Sequence, residues 1–136
     1  MIDIDPEKLI IKALQYYLPE HSDRVMTLAP TDWSDREFLV VRATGGGASS
    51  QPHLYKVCYF EIEAFSSTRG DASRLARRAG EAMIAAAREN FRDETAYLFR
   101  FREVNAPWLV HDGLSSKHGD EFMFQGTYNI SMRSLR

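Results

Sequence analysis

Apolar residues recur every third or fourth position near the start of the chain and every second position further along. Leu9, Ile10, Ala13, Leu14, Tyr17 and Leu18 make one apolar stripe at helical spacing. Asp5 is a good N-cap, Pro6 suits the first helical position and Pro19 stops the run, so the pattern predicts a helix over 6–18. A short strand is expected at 24–28, then a turn-rich loop, 29–35, around Trp33. Phe38 to Ala43 is rich in Val, Leu and Phe and reads as a strand. Thr44 to Pro52 reads as a flexible loop joining two antiparallel strands.

From Tyr55 to Phe65 the period becomes two. Cys58, Phe60, Ile62 and Ala64 lie on one face, and Tyr59, Glu61 and Glu63 on the other. Asp71 to about Phe91 returns to helical spacing, with Asp71 or Ser73 as the cap. Its buried stripe is Ala72, Leu75, Ala76, Ala79, Met83, Ala86 and Asn90, small enough to let the helix sit close to a sheet. Two more strands follow. Tyr97 to Asn105 sets Phe99, Phe101 and Glu103 against Arg100, Arg102 and Val104. Glu121 to Arg133 carries Phe122, Phe124, Gly126, Tyr128, Ile130 and Met132 on one face. Residues 106–119 are read as the connection between them. Helix, strands, long helix, strands is the order of an α+β domain. We expect an antiparallel or mixed sheet of four to five strands, with the N-terminal helix and one long helix on one face.

Composition narrows this picture. The chain has 136 residues, the size of one domain, 1–136. Seventeen basic and nineteen acidic residues give a net charge of −2, which supplies no overall pull toward nucleic acid or an anionic membrane. No apolar run approaches the roughly 20 residues that cross a bilayer, and Met1 to Asp5 is acidic, unlike a secretory leader. The single cysteine, Cys58, permits no intrachain disulfide and suits a reducing cytoplasm.

Candidate chemistry is thin. The glycines at 45–47 are followed by Ala48 and a strand. A phosphate loop needs a lysine and a helix N-terminus there. No Gly-x-Ser-x-Gly elbow supports a hydrolase. Cys58 sits on an apolar strand face, where thiols are inert. His111, Asp112, His118 and Asp120 are the one set of conceivable metal ligands or acid–base groups. Their spacing matches no metal site, and Asp112-Gly113 and His118-Gly119 are ordinary turn formers. A small metal-dependent enzyme using His111, His118 and Asp120 is the alternative of a different class. The preferred reading has no catalytic residues, no metal and no cofactor. The arginines carry more. Arg77 and Arg78 on the long helix and Arg100 and Arg102 on the next strand are either a solvated face or a subunit contact. Glu61 and Glu63 are conceivable carboxylate partners, within or between subunits.

The chain then resembles a known family. Val57-Cys58-Tyr59-Phe60-Glu61-Ile62-Glu63-Ala64-Phe65, running into Ala72-Ser73-Arg74-Leu75-Ala76-Arg77-Arg78-Ala79, is similar to the strand and alanine-rich helix of the tail terminator proteins of long-tailed phages. Glu103 to Asp112, with Pro107, resembles their proline-containing connection, and the closing strand with its basic tail also fits. The resemblance implies a structural virion protein without catalytic residues, assembled in the host cytoplasm. It implies a homo-oligomeric ring, usually hexameric, at the head-proximal end of the tail tube. The ring stops tube growth and offers a face for head joining. The implied partners are a second copy, the major tail tube protein and a head-completion or connector protein. No membrane and no specific nucleic-acid binding are implied, although DNA passes through such a ring. Trp108, His111 and Asp112, in a loop region expected to make contacts, join Arg77, Arg78, Arg100, Arg102, Glu61 and Glu63 as interface candidates. A neighbouring neck or minor tail protein is the runner-up.

Overall fold

A computed structural model describes residues 4–27, 37–47, 54–111 and 122–135. Helix α1 spans Pro6–Tyr17. The Asp5 carboxylate accepts the Lys8 N–H at 3.2 Å, and Leu9, Ile10, Ala13 and Leu14 are buried. Strand β1 is Val25–Met26, β2 is Phe38–Gly47 and β3 is Lys56–Ser66. Helix α2 is Arg69–Arg88, β4 is Ala96–His111 and β5 is Phe122–Ser134.

The five strands form one mixed sheet in the order β1-β2-β3-β5-β4. Only β1 and β2 are parallel; the other neighbours are antiparallel. Both helices pack on one side, α1 near β1 and β2, and α2 across β3, β5 and β4. The architecture is the expected α+β sheet with a helical layer.

The period-two faces hold. Cys58, Phe60, Ile62 and Ala64 of β3 pair with Ile130, Tyr128, Gly126 and Phe124 of β5, and these residues share the helix side and the main core. The alanines of α2 (Ala72, Ala76, Ala79, Ala82 and Ala86) are buried with Leu75 and Met83, so the helix axis lies close to the sheet. Tyr128 is packed between Phe60 and Phe101, with ring centroids 5.5 and 5.2 Å away. Its ring lies over Gly126, where a methyl group would come within 2.6 Å of the Tyr128 Cζ.

Four expectations are corrected. Helix α2 starts at Arg69, capped by the Thr68 hydroxyl on the Asp71 N–H at 3.2 Å, not by Asp71 or Ser73. It ends at Arg88. Asn90 lies outside the buried stripe and takes φ 52, the left-handed position that closes helices. Phe91 N–H bonds to Ala86 O and Asn90 N–H to Ala87 O, while the Asn90 amide donates to Leu98 O at 3.0 Å. Strand β2 runs on through Gly45–Gly47, which pair with Tyr59, Cys58 and Val57, so the glycines are strand rather than loop. Strand β4 runs on through Pro107 to His111, so most of the expected connection is strand as well. It lies at the sheet edge, where a proline costs no ladder bond. Finally, a bulge between Leu98 and Arg100 breaks the alternation of β4. Leu98 faces Met132 and Phe101 faces Ile130, both on the helix side, while Arg100 and Arg102 face the open side.

A second apolar cluster sits on the open side of the sheet. Phe38, Val40 and Phe65 are buried there with Met26 and Met123 beside them, and the Phe38 and Phe65 rings stack at 4.6 Å. The unbroken run Phe38-Leu39-Val40-Val41 is its sequence mark, since a strand buried on both faces does not alternate.

Candidate subunit-contact surface

The open side of the sheet is polar over β3, β5 and β4, which places the interface candidates. Glu61 and Glu63 project there, as expected from their parity, and both find partners within the chain. The Gln125 amide donates to Glu61 Oε2 at 2.6 Å. Glu63 is only 6% exposed, and Arg42 Nη2 lies 3.2 Å from its Oε1, off the hydrogen-bonding direction. Burial pushes the Glu63 carboxyl above its usual range, and the Arg42 charge opposes that rise. This carboxylate is buried against its own chain.

The arginines divide. Arg78 is spent within the chain, ion-paired to Glu20 between α2 and the short 3-10 turn Pro19–His21. Arg77 donates from Nε to Ser73 O at 3.4 Å, leaving its terminal nitrogens outward. Arg100 and Arg102 are exposed on the open side of β4, opposite Ser131 and Asn129, with no ion-pair partner among the described residues. Arg133 of β5 lies on the same face, opposite Tyr97.

Trp108 is 56% exposed on β4, opposite Gln125. His111 ends the same strand, paired in register with Met123. Asp112, His118 and Asp120 lie outside the described residues, and with them the metal reading. Among the described residues no group of three or more His, Cys, Asp or Glu side chains is placed to hold a metal. Cys58 is buried, and burial pushes its thiol up to about 11.

Several contact-grade residues escape a sequence reading. Val104 and Val110 are exposed on β4 with Trp108, and Ile84 is exposed on α2. Beside Ile84, on the helix side, runs an open groove of about 340 Å³ also lined by Ala76, Gly80, Phe101, Ala106 and Pro107. Pro107 was the available signal, because a proline inside an apolar strand marks an edge.

An edge strand that exposes several apolar side chains is rare on a protein that works alone, since such edges are sticky. A model of the phage tail termination proteins matches residues 3–136.

The chain belongs to that family. No curated protein matches it. Tail termination proteins are structural components of the phage tail, so the chain is a virion component from a class that does not comprise enzymes. No helix among the described residues is long and apolar enough to cross a membrane. Membership of the family suggests interaction with other tail proteins.

Proposed function

We propose that the chain terminates the tail tube. It self-associates into a ring, hexameric by the resemblance, at the head-proximal end, stops tube polymerisation and presents a face to the head connector. The observation that carries this reading is the match to the tail termination family over residues 3–136. The exposed apolar side chains of β4 and the exposed Arg100 and Arg102 support it, because an end-binding protein needs contact surface rather than a pocket with catalytic groups.

Loss of the gene tests it. Overlong tails without heads are the expected product. Finished tails of normal length that fail to join heads overturn the termination role in favour of a connector. Negative-stain imaging of the purified protein with tail tubes should show density at one tube end only.

A further inference from the structure

The proposed ring needs two different surfaces on each copy, one for each neighbour. A ring contact is head-to-tail, and a contact of one patch with itself closes at a dimer. The sheet ends differ in the required way. At the β1 end the outer edge of β2 is taken up by two-residue β1 and by α1: Leu39 N–H donates to Arg24 O at 2.8 Å and Ala43 N–H to Glu7 Oε2 at 2.8 Å. At the β4 end the first residues are covered, since Leu98 N–H donates to Phe91 O at 2.9 Å and Asp93 N–H to Ala96 O at 3.0 Å, but the rest of the edge has no strand partner among the described residues and carries Val104, Trp108 and Val110. Charge differs as well. The β4 flank presents Arg77, Arg100, Arg102 and Arg133 against Glu81 and Glu103. The α1–β1 flank presents Asp5, Glu7 and Asp23 against Arg24, while its Glu20 is held by Arg78. Lys8 and Lys12 of that flank are both held by Glu94, at 2.7 and 2.8 Å. The α1–β1 flank also has its own open groove, about 330 Å³, with Ile11 and Thr27 in its lining.

We infer that the basic, apolar β4 flank of one copy seats against the acidic α1–β1 flank of a second copy, through side chains rather than strand pairing. Opposite charge and apolar cover on opposite ends of one sheet give a contact that repeats in one direction. A β4-to-β4 contact would instead bring Arg100 and Arg102 against their own copies. The inference rests on the ring reading and names the surfaces that build it.

Sedimentation velocity of the full-length chain over a concentration series tests it, with tail tubes added if assembly needs them. The charge reversals Arg100→Glu with Arg102→Glu, and Asp23→Lys, should each raise the assembly midpoint several-fold. Trp108→Glu should do the same, and all three variants should keep the wild-type circular dichroism. Mixing the two charge-reversed variants should restore assembly, because each then offers the other a complementary flank on both sides. Wild-type assembly that ignores these changes, or a mixture that stays dissociated, overturns the contact and leaves the ring reading standing. A wild-type chain that stays monomeric both alone and with tubes overturns both.

Discussion

At Gly126 the sheet has no room for a side chain, because the Tyr128 ring folds back over it. Gly126→Ala should cost about 1–3 kcal/mol as the ring is forced from its place between Phe60 and Phe101, read as a lower urea midpoint. Glu63 makes the opposite kind of case. Its carboxyl is raised from an ordinary 4.5 by burial, so ionising it costs stability in the folded state. That cost is absent below the unfolded value and complete above the raised folded one. Wild-type stability therefore falls through this window as pH rises. Glu63→Gln cannot ionise and should be as stable as wild type or up to about 1 kcal/mol more stable at pH 7. The advantage should close on acidification. A larger loss in Glu63→Gln would mean that the Arg42 pair outweighs desolvation. Nothing in the sequence distinguishes Glu63 from Glu61, which stands two residues away on the same face. Glu63 is buried and reaches diagonally to Arg42, which is paired in register with Glu61, while Glu61 is half-buried and takes Gln125, which is paired with Glu63; register is a tertiary property.

Elements were legible wherever the apolar period ran clean. Helix α1, strands β3 and β5 and the body of α2 follow from spacing alone. The period also told which face of β3 and β5 meets the helices. It failed where residues with a strong local habit were overruled by pairing. Gly45–Gly47 have no side chains to pattern, yet β3 supplies them a hydrogen-bonded partner. Pro107 reads as a break, yet an edge strand tolerates it. The bulge at Leu98 shifts a face by one residue, which no two-residue period can announce. The tie between α1 and the turn before β4 gives a test at this scale. Lys12 and Lys8 hold Glu94 down to about 2. A depressed carboxyl contributes stability above its unfolded value of 4.5 and loses it as pH falls toward 2. The difference in unfolding midpoint between wild type and Glu94→Gln should therefore be constant above pH 5 and vanish across that acid window. The pair is fully solvated, so the difference should be small and should shrink in salt.

For the whole molecule, the fold class and the family were both readable before any coordinate. The placement of the interface candidates was readable only in part. Arg100, Arg102 and Trp108 kept their exposed places, while Arg78 and Glu63 were absorbed by partners distant in sequence. Val104, Val110 and Ile84 look like core residues on a line of text, and only the sheet order puts them outside. If assembly joins an arginine-rich flank to an acidic one, it should weaken with salt. The assembly midpoint should rise several-fold between about 0.05 and 0.5 M salt, where screening shortens from over 10 Å to a few ångström. A midpoint indifferent to salt would leave the apolar side chains of β4 as the whole contact.

The strand order carries a consequence for how the chain folds. β5 is made after β4 yet lies between β4 and β3. The β2–β3 hairpin can zip locally, and so can the β4–β5 hairpin, but the seam from β3 to β5 must close across α2 and β4, a separation of roughly sixty residues. Nucleation should therefore occur twice, in two hairpins, with their docking as the slow step. A nascent chain paused before Phe122 holds β3 with one side unsatisfied. That interval is when the open edge of β3 is most exposed to pairing with another chain.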